Sequence, residues 1–127
     1  MGRILIGLVA LITMGTAAHA TILAAGALYG GSTQTVAVCY LFNAGPVLVT
    51  VTQPKIISGA GASIPLTFNN CPSALFPGKI CDFYVNPITN TQAFGCSVNV
   101  SGTGTDVRGT LDIRSSLGTV LQVEQLR

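Results

Sequence analysis

A period-two pattern around Cys96 constrains the fold more than any other stretch of the chain. Between residues 92 and 101, Phe94, Cys96, Val98 and Val100 alternate with small or polar residues. Alternation of this kind is typical of a β-strand with one buried face. Because the cysteine shares that face, the pattern predicts a disulfide across a core to a second sheet.

The sequence after residue 20 predicts β-strands throughout. Turn signals recur about every eight to twelve residues, and no window keeps a helical period. Residues 35–42 are apolar on both faces, which predicts a central strand covered on both sides. We expect Pro54 to end the next strand, and Pro65 marks residues 64–68 as an edge strand. Together these features predict an all-β, antiparallel, immunoglobulin-like β-sandwich of seven to eight strands with two disulfides.

The N-terminus has the layout of a secretory signal peptide. Arg3 precedes an apolar run over residues 4–14, and the small residues of Ala18-His19-Ala20 predict cleavage before Thr21. We therefore expect a signal peptide over residues 1–20 and one β-sandwich domain over 21–127. The alternative is an uncleaved membrane anchor, because apolar residues continue as far as Leu28. Polar residues interrupt that run, so no membrane span is expected after cleavage.

Four cysteines in a short exported chain predict two disulfides, for which three pairings exist. We favour Cys39–Cys96, which joins two interior strands, and Cys71–Cys81, which closes a short loop around the Pro77-Gly78 turn. The sequence has no C-x-x-C motif, and its one histidine lies in the signal peptide. We therefore predict no metal site and no cofactor. Disulfides place the expected location in the periplasm or outside the cell.

The charges are few and scattered. The side chains after residue 20 sum to about +1, from Lys55, Lys79, Arg108, Arg114 and Arg127 against Asp82, Asp106, Asp112 and Glu124. This distribution predicts no nucleic-acid partner. A surface with so little charge is weakly protected against self-association. Either this self-association has no function, or the surface binds a partner.

No catalytic residue is predicted. Without a histidine the mature chain has no Ser-His-Asp or Cys-His site. Asp106 and Asp112 are the carboxylates closest in sequence, and we expect them to be solvated charges; a hydrolase using this pair is a third hypothesis. Eight aromatic residues are too few for both a carbohydrate platform and a core, so most are expected in the core.

The order of motifs resembles small exported bacterial proteins of unknown function that have two disulfides and an immunoglobulin-like fold. The features that carry the resemblance are an early Val38-Cys39, the segment Leu75-Phe76-Pro77-Gly78-Lys79-Ile80-Cys81, a later strand cysteine at Cys96, and Val107-Arg108 opening a final hairpin. The Pro-Gly turn is also similar to bacterial immunoglobulin-like modules of cell-surface proteins. The resemblance implies a fold and an exported location, and no activity.

Two segments suggest a function. Phe76 and Leu75 lie in the loop that Cys71–Cys81 would close, where a ring is presented to a partner at low entropic cost, or where both residues cap the sandwich. The segment 21–30 pairs with its own sheet or is donated to a neighbouring subunit. We therefore predict an exported, non-enzymatic binding or surface-interaction module with an unknown protein or cell-surface partner. The alternative is a structural fibre or pilus-like subunit that assembles by donating strand 21–30.

Overall fold

The computed structural model describes residues 20–89, 92–102 and 106–127, and these residues form strands and turns without a helix. Seven strands have six or more residues and three have two. In chain order they are β1 (Ala20–Leu28), β2 (Gln34–Asn43), β3 (Val49–Ser58), β4 (Ser63–Ile64), β5 (Phe68–Asn69), β6 (Ala74–Leu75), β7 (Ile80–Val85), β8 (Phe94–Ser101), β9 (Val107–Ser115) and β10 (Val120–Leu126).

The strands form two antiparallel sheets packed as a sandwich. The first sheet has the order β1-β8-β3-β4, with β6 pairing to the start of β3. The second sheet has the order β10-β9-β2-β7-β5. Two backbone hydrogen bonds between Ala24 and Arg127 also join β1 of the first sheet to the end of β10. The all-β antiparallel sandwich predicted from the sequence is confirmed.

The strand around Cys96 is β8, and its alternation is as the sequence predicts. Phe94, Cys96, Val98 and Val100 are each at most 1% exposed, whereas the residues between them are half-buried. Cys96 bonds to Cys39 of β2, so the disulfide crosses the core between the two sheets. The second bridge joins Cys71 to Cys81. Both predicted pairings are present, and they indicate an oxidising environment such as the periplasm or the extracellular space.

Pro54 does not end its strand, and that expectation is wrong. Strand β3 continues to Ser58, with a register shift against β8 between Thr52 and Lys55. At this shift Gln53 has a φ of 51°, a left-handed conformation that is uncommon outside glycine. A bulge takes Pro54 out of the regular hydrogen-bond ladder, so its missing N–H does not interrupt the strand.

The segment around Pro65 is an edge, as predicted, but it belongs to two sheets. Strand β4 lies at the edge of the first sheet and ends before Pro65. Strand β5 follows at the edge of the second sheet, where Phe68 is opposite Tyr84. The chain therefore crosses from one layer to the other through the proline, which cannot donate to either ladder.

Strand β2 is central in its sheet, and its outer face is covered only in part. Ala37, Cys39 and Leu41 are fully buried against the first sheet. The alternate residues point to the outer surface of the sandwich, where Val38 is buried, Tyr40 is half-buried and Phe42 is 38% exposed. The expectation of a strand covered on both sides therefore holds at Val38 and is wrong at the Phe42 end of the outer face.

The predicted signal peptide, apart from Ala20 at the start of β1, lies outside the described residues. Within the described part of the chain, no helix is long and apolar enough to cross a membrane.

Removing the Cys39–Cys96 bridge should destabilise the protein more than removing Cys71–Cys81. The bridges close loops with sequence separations of 57 and 10 residues. Loop-closure entropy alone then gives about 4 kcal/mol for the first and about 2.7 kcal/mol for the second. Urea unfolding of Cys39→Ala/Cys96→Ala and of Cys71→Ala/Cys81→Ala measures both losses. An equal loss, or a larger one for the short loop, would contradict this ranking.

Candidate functional site

Leu75 and Phe76, the two residues of the Cys71–Cys81 loop that the sequence predicts to bind a partner, differ in their exposure to solvent. Leu75 pairs with Val49 and is 1% exposed, so it is a core residue that no partner reaches. Phe76, the next residue, is 59% exposed. Leu75 therefore caps one end of the sandwich core, and Phe76 is the side chain presented to solvent.

A tight turn holds Phe76 in place. The N–H of Lys79 donates to the carbonyl of Phe76 at 3.1 Å, and Gly78 has a φ of 72°. Proline at the second position and a glycine of positive φ at the third is the arrangement of a type II turn. The aromatic ring therefore projects from a turn whose backbone is already ordered.

The amide of Asn43 anchors this turn to the rest of the fold. Asn43 is fully buried, and its Nδ2 donates to the carbonyls of Val47 and Leu75 at 2.8 and 2.9 Å. Its Oδ1 accepts from the N–H of Gly45 at 3.0 Å. Its backbone N–H donates to Lys79, and its carbonyl accepts from Gly78. One side chain thus joins the turn after β2 to the turn that carries Phe76.

Exposed apolar residues gather at this end of the sandwich. Val47 and Leu48 are 62% and 45% exposed, and Ile80 is 67% exposed. Ile80 is directly opposite Phe42 on the neighbouring strand. We call this surface the Asn43 end; it comprises Phe42, Val47, Leu48, Phe76 and Ile80. Exposed apolar clusters on soluble proteins mark interaction sites more often than isolated apolar residues do.

A groove of about 460 Å³ adjoins the Asn43 end on the outer face of the second sheet. Directly opposite residues of antiparallel strands share a face, so their side chains form rows across the sheet. One row is Arg108–Phe42–Ile80, and the next is Gln125–Thr110–Tyr40. All six of these side chains line the groove.

An ion pair and a cation–π contact occupy the middle of the same face. Arg114 donates to Oδ2 of Asp112 at 2.7 Å, and its guanidinium carbon lies 5.6 Å from the centre of the Tyr40 ring. The hydrogen bond that Arg114 donates to Asp112 is the largest cause that raises the pKa of Arg114, so this guanidinium stays charged. The side chain of Asp112 is only 11% exposed, and the expectation of a solvated carboxylate is wrong for this residue.

The structure does not bring Asp106 and Asp112 together. Asp106 immediately precedes β9, whereas Asp112 lies within it and bonds to Arg114. Six residues along an extended strand span about 20 Å. A pair of glycosidase carboxylates is about 5–10 Å apart. Among the described residues, no group of three or more His, Cys, Asp or Glu side chains is placed to hold a metal ion.

Sequence reasoning missed the distribution of the aromatic residues. Of the eight described rings, Phe83 and Phe94 are in the core, and the expectation that most of them are buried there is wrong. Four others lie on the outer face of the second sheet: Tyr40, Phe42, Phe68 and Tyr84. The signal was present in the second apolar face of β2, which we interpreted as covered.

Comparison with known proteins identifies no relative: no family model, curated protein or solved structure matches the chain. The resemblance to small exported bacterial proteins with an immunoglobulin-like fold remains a prediction.

Replacing Asn43 by alanine should lower the free energy of unfolding by about 2–4 kcal/mol, because it removes the hydrogen bonds that the buried amide makes with the carbonyls of Val47 and Leu75 and with the N–H of Gly45. Asn99→Ala is the matched control, since the Asn99 amide makes an exposed hydrogen bond to Gln53. We expect the control to change stability by less than about 0.5 kcal/mol. Urea unfolding measures both; equal losses would show that Asn43 is not an anchor.

Proposed function

We propose that the protein is an exported, non-enzymatic β-sandwich that acts as a binding or surface-interaction module through the Asn43 end. The observation that carries the proposal is the exposure of Phe76 on a turn that a buried amide holds in place. Aromatic anchors of this kind dominate the binding energy of many protein interfaces. Because the turn is ordered before binding, little conformational entropy is lost when a partner packs on the ring.

Two further observations support an exported binding role. Two disulfides in so small a domain are typical of proteins that fold outside the cytoplasm. Five exposed apolar residues at one end are costly in solvent unless another surface covers them. The partner in this proposal is a protein or another component of the cell surface.

Phe76→Ser should weaken attachment of the labelled, oxidised protein to the cells that produce it at least tenfold, as expected for the loss of an aromatic anchor. Leu117→Ser is the matched control, because Leu117 is 91% exposed and lies in the β9–β10 hairpin at the opposite end of the sandwich. Equilibrium binding curves give both apparent affinities. If both variants bind like the unmodified protein, the Asn43 end is not the contact surface.

A fibre subunit that donates its N-terminal strand is the second candidate. Strand β1 is an edge strand with no charged residue and no proline, and Ile22 on it is 64% exposed. Charge and proline, two of the usual protections against pairing with another chain, are absent from this edge, which is covered only at Ala24 by two hydrogen bonds to Arg127. In this structure β1 pairs with β8 of its own chain, from Ala20 opposite Ser101 to Leu28 opposite Phe94. Donation therefore requires β1 to leave β8 and to break the two hydrogen bonds between Ala24 and Arg127.

Strand donation predicts that the oxidised protein forms large species whose mass rises with concentration. A variant lacking residues 21–30 should then remain a soluble monomer, and an excess of the 21–30 peptide should block assembly of the full chain. Light scattering on a sizing column measures each mass. Assembly that persists after the deletion, or that the peptide does not inhibit, would refute donation. A concentration-independent mass of one chain would favour the binding module.

A further inference from the structure

The N-terminal segment of the chain joins the fold at the Asn43 end. Ala20, the first residue of β1, is opposite Ser101, the last residue of β8. The N–H of Thr50 donates to Oγ of Ser101 at 2.8 Å, and Thr50 pairs with Ala74 of β6, two residues before Phe76. These residues form one row across β1, β8, β3 and β6, which spans three strand spacings or about 15 Å. The start of β1 and the turn that carries Phe76 therefore lie at the same end of the sandwich.

The chain that precedes Ala20 contains the apolar run over residues 4–14, which has no charged residue. Both alternatives for this run, a signal peptide before cleavage and an uncleaved anchor, place it in a lipid bilayer. Residues 15–20 are six residues, and a fully extended chain of this length spans at most about 20 Å. Whenever residues 4–14 are in a membrane, the Asn43 end is therefore the end of the sandwich that is attached next to its surface.

The exposed side chains of the Asn43 end suit the interface between lipid and water. Leu48, Phe76 and Ile80 are 45%, 59% and 67% exposed, and they lie in turns or at the first residue of a strand. Lys79 and Asp106, which are exposed and of opposite charge, lie beside the turn after β2. Apolar contact, and not attraction by net charge, is therefore the interaction that this end offers to a bilayer. The long side chain of Lys79 reaches toward the headgroups when its neighbours are in the interface.

Four carbonyls of the turns at the Asn43 end are already hydrogen-bonded within the protein. Asn43 donates from its side-chain amide to the carbonyls of Val47 and Leu75, and from its backbone N–H to the carbonyl of Lys79. The carbonyl of Phe76 accepts from the N–H of Lys79. Backbone groups without a partner are costly where water is excluded, so these bonds lower the cost of moving the turns into the headgroup region.

We infer that the Asn43 end lies on the lipid surface of the membrane that residues 4–14 enter, with Leu48, Phe76 and Ile80 in the interfacial layer. This inference rests on the proposed function and deepens it, because it names lipid as the partner that covers the exposed apolar residues. One apolar patch binds a bilayer weakly, and the attached N-terminal segment raises its local concentration at the surface. The two contacts together hold the domain with the Asn43 end toward the membrane.

Tryptophan fluorescence tests this contact, because the chain has no tryptophan of its own. Phe76→Trp keeps an aromatic ring on the turn, and Leu117→Trp is the matched control at the opposite end of the sandwich, where the side chain is 91% exposed. Each full chain, made by cell-free synthesis so that residues 1–20 remain attached, is oxidised and bound to preformed phosphatidylcholine vesicles. The vesicles contain lipids brominated along the acyl chain, which quench a nearby tryptophan.

Quenching should be at least about twofold stronger for Phe76→Trp than for Leu117→Trp, because interfacial side chains lie about 5–10 Å deep in the boundary between headgroups and acyl chains. Absence of quenching for Phe76→Trp, or equal quenching for the two variants, would overturn the inference.

A second substitution in the Phe76→Trp chain tests which side chains make the contact. Ile80→Ser should reduce the quenching at least about twofold, because it removes another apolar side chain of the Asn43 end from the interface. Val123→Ser is the matched control, since Val123 is 52% exposed but lies on β10 opposite Asp112. Equal effects of Ile80→Ser and Val123→Ser would overturn the assignment of the interface. A dimer of the exported protein that Phe76→Ser dissociates would show that a second copy covers the Asn43 end, and would also overturn it.

The two proposals fail separately. If Phe76→Ser reduces attachment to cells while the lipids do not quench Phe76→Trp, the inference is overturned and the binding module stands with a protein partner. If the lipids quench Phe76→Trp while Phe76→Ser leaves attachment to cells unchanged, the lipid contact stands and attachment of the exported protein through the Asn43 end is overturned.

Discussion

The bond between Cys39 and Cys96 is the constraint on which the rest of the structure depends. Strand β2 lies between β9 and β7, and β8 lies between β1 and β3, so the disulfide joins the inner strands of the two sheets. Each sheet buries one face against the other, and Leu41, Phe83 and Val98 are fully buried in the core between them. In a domain this small the core alone stabilises weakly, and a covalent link restricts the unfolded chain as well.

Two buried side-chain amides, those of Gln34 and Asn43, hold the loops at the two ends of the sandwich by hydrogen bonds. Strand β2 begins at Gln34 and ends at Asn43, and both residues are fully buried. Gln34 accepts from the N–H of Gly30 and donates to the carbonyls of Thr89 and Gln92. Asn43 does the same for the turns at the other end. Since an unpaired buried amide is costly, each of these side chains selects one arrangement of its loops. The turn that carries Phe76 is rigid for this reason.

The outer face of β2 connects the fold to the proposed functions. A strand needs one apolar face to build a two-layer sandwich, and β2 has two. Its outer face contributes Phe42 to the Asn43 end and, with Tyr40, to the groove. The ion pair of Asp112 with Arg114 is on this face as well. Exposed apolar surface at the Asn43 end is the property that the proposed binding function uses.

The sequence by itself predicted the class of fold and favoured the cysteine pairing that the structure shows, because these depend on local alternation and on the turn between Cys71 and Cys81. It also predicted the turn at Pro77-Gly78, since proline and glycine restrict the backbone locally. Only the tertiary structure decided which face of β2 the first sheet covers, because periodicity shows that a face is apolar and not what packs on it. Similarly, the bulge at Gln53 that lets β3 pass Pro54, and the burial of Gln34 and Asn43, depend on strands distant in sequence. The distance between Asp106 and Asp112 followed from the strand that contains Asp112. Proximity in sequence therefore did not make a carboxylate pair, and the candidate site came from side chains of β2, β7 and the turns before β3 and after β6, which only the tertiary structure brings together.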